Sequence, residues 1–146
     1  MQKPPQSAVL HCDGASKGNP GPAGAGFVLS TPDGDLIASA AIPLGVATNN
    51  FAEYQGLIAG LNEATARDIK QLQIMSDSEL LVKQLLGQYR VRSGNLKPLY
   101  ESARRLIACF DTVHIKHVRR EYNTEADKLA DEAAKRQKES TNGSQH

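Results

Sequence analysis

The sequence predicts an α/β fold: one mixed sheet, antiparallel in its first half and parallel in its second, with helices on its faces. Three observations predict it. The first third of the chain holds apolar runs punctuated by Gly, Pro and Asp, the pattern of a strand meander. The remainder alternates short strand-like runs with helical ones, the pattern of parallel pairing through crossovers. The length, 146 residues, suits one ordinary domain with a real core.

The elements follow in order. AVLHCDG reads as a strand, and AGAGFVLSTPDGDLIASAAIPL as a hairpin turning at Pro32-Asp33-Gly34-Asp35. Thr48-Asn49-Asn50 is an N-cap cluster, and Tyr54, Leu57, Ile58 and Leu61 then recur at helical spacing. QLQIMSD is a short strand. Ser76 and Glu79 fit a capping box for a helix carrying Leu80, Leu81, Leu85 and Leu86 inward, and Gly87 stops it. LKPLYESARRLIACF is a helix with Leu99, Ala103, Leu106 and Phe110 inward, and DTVHIKHV is a strand with Val113, Ile115 and His117 in phase. A last helix runs from Asn123 or Thr124 to Gln137 with Ala126, Leu129, Ala130 and Ala133 inward. The domain spans 7–138. Residues 1–6 read as a flexible N-terminus, and ESTNGSQH, 139–146, as a disordered tail.

Composition narrows the function classes. No apolar run is long enough to span a membrane, and MQKPPQSA has no apolar signal region. The two cysteines, Cys12 and Cys109, are too few for a disulfide framework or a Cys-based zinc site, and read as reduced core residues of a cytoplasmic protein. The net charge of +1 hides an asymmetry: residues 83–120 carry 9 basic and 2 acidic side chains, while 1–82 carry 4 basic and 8 acidic. Lys83, Arg90, Arg92, Lys97, Arg104, Arg105, Lys116, Arg119 and Arg120 make a block suited to a polyanion, or a solvated helix face.

The acids carry the chemistry. Asp13 closes the first strand, and an acid at the end of a central strand is costly unless a cation meets it. Glu53 shares the inward stripe of its helix with Leu57 and sits in the first turn, where the helix dipole favours an anion. Asp77 follows the fourth strand, and Asp127 lies in the first turn of the last helix. Each has a structural reading as well: turn former, dipole partner, N-cap and capping acid in that order. Together they gather where open α/β sheets bind ligands, and gathered carboxylates repel unless cations sit between them. Hard oxygen donors select Mg²⁺ or Mn²⁺.

Four motifs in this order resemble one family: DGASKGNPGPAGAG at 13–26, TNNFAE at 48–53, SDS at 76–78, and N-x-x-x-D at 123–127. The chain resembles type 1 ribonuclease H, the nuclease that cuts the RNA strand of RNA–DNA hybrids, over roughly residues 7–138. The resemblance implies a five-stranded mixed sheet, three antiparallel strands then two parallel, with helices on both faces. It implies that Asp13, Glu53, Asp77 and Asp127 hold two Mg²⁺ or Mn²⁺ ions at the scissile phosphate, leaving 5′-phosphate and 3′-hydroxyl ends. Asp131 is one helical turn from Asp127, but the family spacing from Asn123 favours Asp127. Gly14, Lys17, Asn19, Asn49, Asn50, Ser78, Arg90, Arg92, Lys97 and Asn123 are the implied substrate contacts; the amides can read a 2′-hydroxyl, or cap a helix. The Gly- and Pro-rich stretch after Asp13 is expected to let a nucleic-acid backbone approach closely, with Lys17 and Asn19 facing it.

Two departures mark a compact form of the family. QYRVRSGNLKPLY is short and the chain has no Trp, so no basic handle is expected and grip falls to Lys83, Arg90, Arg92 and Lys97. Relatives place a mobile His before the last acid; here His117 reads as a strand residue, and Arg119, Arg120 or Glu121 takes the loop's place. The expected partner is an RNA–DNA hybrid, with double-stranded RNA left open, no membrane, and the chain acting as a monomer. The alternatives are a module of the same fold that grips hybrids or double-stranded RNA without cutting, and an integrase- or resolvase-like enzyme acting on DNA.

Overall fold

A computed structural model describes residues 5–143, with side chains to Thr141. Residues 1–4 and 144–146, the outer parts of the expected flexible N-terminus and tail, lie outside the described residues. The chain runs β1 (Ser7–Ser16), β2 (Gly21–Ser30), β3 (Leu36–Ala47), α1 (Asn49–Ala66), β4 (Gln71–Ser76), α2 (Glu79–Leu85), α3 (Lys97–Ile107), β5 (Thr112–His117), a 3₁₀ turn (Arg120–Tyr122) and α4 (Thr124–Gly143). One five-stranded sheet has the order β3-β2-β1-β4-β5. β1 pairs antiparallel with β2 and β2 with β3, while β1–β4 and β4–β5 are parallel. This is the mixed sheet expected, with β1 at its centre.

The alternation in GPAGAGFVLS explains how both faces of β2 are covered. Phe27 and Leu29 enter the main core with Leu57 and Leu61 of α1, and Ala25 lies on the same side beneath Gly56 of α1. Gly24 and Gly26 face the other way, and a Cβ on either would run into the backbone of α4 at Ala134 and at Ala126 and Ala130. Ala126, Ala130, Ala133 and Ala134 form the buried stripe of α4. Small residues on both partners let helix and strand meet backbone to backbone. Gly14 does the same for α1: an added Cβ would strike the backbone at Ala52 and Glu53. These glycines therefore serve packing inside the protein. Gly18, at φ +99°, and Gly21, whose added Cβ would strike the carbonyls of Lys17 and Gly18, shape the β1–β2 turn itself.

Several boundaries differ from expectation for local reasons. β1 continues to Ser16, so Asp13 lies inside the strand and does not close it. Helix α1 begins at Asn49 with Thr48 as N-cap, its hydroxyl accepting from Phe51 N–H at 3.2 Å; Glu53 therefore falls in the second turn. Ser78, not Ser76, caps α2, because Ser76 Oγ instead accepts from Ser78 N–H at 3.1 Å. The register of α2 shifts accordingly: Val82 and Gln84 are buried with Leu81 and Leu85, and Leu86 is exposed. Gln84 is tolerated inside because its Oε1 accepts from the Tyr54 hydroxyl at 2.7 Å. α4 continues past Gln137 to Gly143, into the stretch read as tail. Gln6 O accepts from Lys70 and Gln71 N–H, so it is tied to the start of β4, not free. Cys12 is in the core but Cys109 is exposed, against the expectation for both.

The close approach of α4 to β2 is testable. Gly26→Ala puts a methyl against α4 backbone that has no flexible atom to yield, and should lower unfolding stability by about 1–3 kcal/mol. Gly94→Ala, in open space, should leave it unchanged. Urea titration of both variants checks this; equal stabilities would refute the packing account.

Candidate active site

Parallel pairing of β1 with β4 ends at His11 opposite Met75, while β1 stays bonded to β2 through Ser16. The two central strands part there, and the fork they leave is where the acids collect. Asp13, Glu53, Asp77 and Asp127 all line one open cleft of about 360 Å³, together with Gly14, Lys17, Asn49, Arg120 and Asp131. Four separate elements supply the four carboxylates: β1, α1, the β4–α2 turn and the first turn of α4.

Burial dominates the electrostatics. Asp13 is only 7 % exposed, and its carboxyl is pushed up to about 8 by burial first and by the Asp77 carboxylate second. The Gly14 N–H, donating to Asp13 Oδ1 at 2.9 Å, opposes the rise. Glu53 is raised to about 7, again by burial, with a hydrogen bond from Ser78 acting the other way. Beside them the Cys12 thiol is driven far above its ordinary value by burial, so it is no nucleophile.

Cations and amides already answer part of this charge. Arg120, from the turn where the family's His loop would lie, extends a guanidinium nitrogen to 3.4 Å from Asp127 Oδ1. Of the three loop candidates it is the one in the cleft; Arg119 reaches only Glu121, at 3.7 Å. Asn123 Nδ2 donates to Asp77 Oδ1 at 2.9 Å. His117 belongs to β5, as its phase indicates, but unlike Val113 and Ile115 it is exposed, with Nε2 3.3 Å from the Asp77 carbonyl. Asp131 lines the same cleft but is paired with Lys17 and with Lys135 at 3.1 Å, while Asp127 shares a side-chain hydrogen bond with Asp13. The donor set is the kind that takes a hard divalent cation: four carboxyl groups, all oxygen, two of them raised by burial. Among the described residues no three of these side chains are drawn together into a ready-made cage.

The other expected contacts divide. Asn49 lines the acid cleft, and Asn19 and Asn50 line a neighbouring groove with Thr48, Ser93 and Asn95, two residues the sequence reading did not single out. Asn19 Oδ1 also accepts from Asn49 N–H at 3.0 Å, so it helps cap α1. Lys17 lies on the cleft but is bound to Asp131. Gly14 and Ser78 are built into helix packing and capping. Asn123 is 1 % exposed and cannot touch a substrate. Arg90, Arg92 and Lys97 are exposed but do not join the acids; Arg90 and Lys97 line a separate groove with Tyr89 and Tyr100. Lys83 is taken by Glu79, at 2.6 Å, and Arg104 by the Leu85 carbonyl, at 2.9 Å.

The raised carboxyls make a prediction for the metal-free protein. A carboxyl whose folded pKa lies above its unfolded one holds its proton better in the folded state. That stability is fully present below about pH 4 and is lost as pH rises through the folded values near 7 and 8. In chelator, stability should fall by roughly 2–5 kcal/mol between pH 5 and 8, and Asp13→Asn should flatten the slope and melt higher than the parent at pH 8. A parent stability that holds or rises across that window would contradict the burial argument.

A family model described as reverse transcriptase-like matches residues 11–133. A ribonuclease HI of Halobacterium salinarum is 41 % identical over 133 residues, covering 90 % of this chain and 67 % of that protein. The bifunctional protein Rv2228c of Mycobacterium tuberculosis is 42 % identical over 126 residues, 86 % of this chain but 35 % of that protein, so the chain spans about a third of the length of this relative. The solved N-terminal ribonuclease H domain of the same mycobacterial protein superposes with a TM-score of 0.91 at 40 % identity, covering 92 % of this chain and 98 % of that one. LC11-RNase H1, solved in complex with an RNA/DNA hybrid, superposes with a TM-score of 0.82 at 31 % identity over 88 % of this chain and 97 % of that one. By sequence, by fold and by the acids that share its cleft, the chain belongs to the ribonuclease HI family.

Proposed function

We propose that this chain hydrolyses the RNA strand of RNA–DNA hybrids as a metal-dependent endonuclease, leaving 5′-phosphate and 3′-hydroxyl ends. The observation that carries the reading is the convergence of Asp13, Glu53, Asp77 and Asp127, from four elements, on one open cleft. A structural role asks for no such gathering, since it raises two carboxyls and lowers stability. Mg²⁺ or Mn²⁺ ions held by these four acids would activate the attacking water and stabilise the leaving oxygen.

The chain's own residues supply the rest. The buried Asp13 and Glu53 keep low-dielectric surroundings in which opposite charge is strongly attracted. Arg120, on the rim beside Asp127, would offer its guanidinium to a phosphate of the substrate. Asn49 in the cleft and Asn19 and Asn50 in the adjoining groove present amides that can donate to and accept from a ribose 2′-hydroxyl, the group that distinguishes RNA from DNA. Arg90, Arg92 and Lys97, exposed on the α2–α3 side, would meet the backbone of the duplex without taking part in the chemistry. That the LC11 enzyme was solved with a hybrid bound supports the same substrate class here.

Two experiments test the reading. The purified chain is incubated with a labelled hybrid, a DNA duplex and an RNA duplex, with Mg²⁺, Mn²⁺ or chelator. Cleavage confined to the RNA strand of the hybrid, and only with metal, is expected; Asp13→Asn and Asp77→Asn should each lower it by at least about 10³-fold while keeping hybrid binding. Binding without turnover at any metal concentration would make the chain a hybrid-gripping module instead, and cleavage of the DNA duplex would point to an integrase-like enzyme. Hybrid affinity should also fall steeply with salt, and Arg90→Ala with Arg92→Ala should reduce that slope by about one to two phosphate contacts. An unchanged slope would remove the α2–α3 side from the contact surface.

A further inference from the structure

The cleft depends on a residue that no substrate can reach. Beyond His11 and Met75 no backbone ladder joins β1 to β4, yet Asp13 and Asp77 lie just past that point on the two diverging segments. The Asn123 side chain fills the fork. Its Nδ2 donates at 2.9 Å to the carbonyl of Cys12, next to Asp13, and at 2.9 Å to Asp77 Oδ1. Its own N–H donates to Arg120 O at 2.9 Å, and its carbonyl accepts the Asp127 N–H at 3.0 Å. One buried residue thus ties together the strand of Asp13, the carboxylate of Asp77, the turn that carries Arg120 and the helix start that carries Asp127.

The orientation of this amide is fixed by chemistry. Both side-chain partners are acceptors, so the nitrogen must face them. Asn123 Oδ1 is then left buried with no hydrogen-bond partner among the described residues. What this position gains is a fixed plane for the Asp77 carboxylate, one oxygen of which is committed to Asn123.

We infer that Asn123 is a positioning residue that sets the Asp77 carboxylate and braces the β1–β4 fork for metal binding and catalysis, and that it is not a substrate contact. The inference rests on the hydrolytic reading above. Groups that orient metal-holding side chains change affinity or activity by about 10–100-fold when removed.

The test separates positioning from general loosening. Asn123→Ala and the shorter but cap-competent Asn123→Ser are compared with Ile69→Ala, a core truncation at the opposite end of β4. Two quantities are read well below each melting temperature: kcat and KM on a labelled hybrid, and the Mn²⁺ isotherm by calorimetry without nucleic acid. For both Asn123 variants kcat should fall about 10–100-fold with KM within about twofold, and Mn²⁺ binding should weaken over a similar range. Ile69→Ala should melt lower yet keep both. Parent-like kcat and Mn²⁺ affinity in the Asn123 variants, or equal losses in Ile69→Ala, would overturn the inference. A parent that binds Mn²⁺ but cuts no hybrid would sink the hydrolytic reading instead, and the isotherms would still report on Asn123.

Discussion

The burial of Asp13 is the constraint on which the rest of this structure turns. A carboxylate inside the central strand loses most of its hydration, and two more carboxylates nearby raise the electrostatic cost. Everything around it is arranged to contain that cost without abolishing it. Gly14 turns its N–H onto Asp13, Arg120 stands beside Asp127, and Asn123 takes one oxygen of Asp77. None of these is a full counter-charge for Asp13 or Glu53. The fold stays under tension there, which is the electrostatic condition of a site that attracts cations.

The cleft exists because the sheet comes apart at one place and its helices come unusually close at others. β1 and β4 separate after His11 and Met75, and without that fork four carboxylates from four elements would have no common space. The helices reach the fork because the strands carry glycine where helix backbone must pass: Gly14 under α1, Gly24 and Gly26 under α4. Ala126, Ala130, Ala133 and Ala134 complete the arrangement from the helix side. The packing that holds the domain together and the geometry of the cleft are one set of contacts, so a methyl on Gly26 bears on both.

Charge is distributed by a different logic. The basic excess of residues 83–120 dissolves on inspection into separate tasks. Lys83 pairs with Glu79 and lies 4.8 Å from the Tyr89 ring centroid, and Arg104 bonds the last carbonyl of α2. Arg120 alone of the block lines the acid cleft among the described residues, while Arg90, Arg92 and Lys97 remain on an exposed flank. A run of like charge in the sequence says how much positive charge a surface could have; partners in the fold decide how much is free to meet a phosphate.

Much of this was legible in the residues. Strand and helix order, the Thr48 cap, the stop at Gly87 and the mixed sheet follow from periodicity and turn chemistry, which act over a few residues and so are written locally. The four acids stood out because each breaks a local rule, an anion beside apolar runs at an element boundary. The errors lie where neighbours distant in sequence decide. Asp13 is inside β1, not at its end, because β2 extends the ladder, and Ser78 displaced Ser76 as a cap because Ser76 Oγ was engaged. Gly14, Gly24 and Gly26 make room for helices, and Lys17 faces Asp131. Asn123 is the sharpest case: its motif spacing marked it as part of the site, but only burial and its bonds to Cys12 and Asp77 changed a substrate contact into a brace. The sequence by itself determined which groups are present and which elements carry them. Which groups meet was decided by the tertiary structure alone, because the contacts that join β1, the end of β4 and the start of α4 link residues more than forty positions apart and no local pattern encodes their distance.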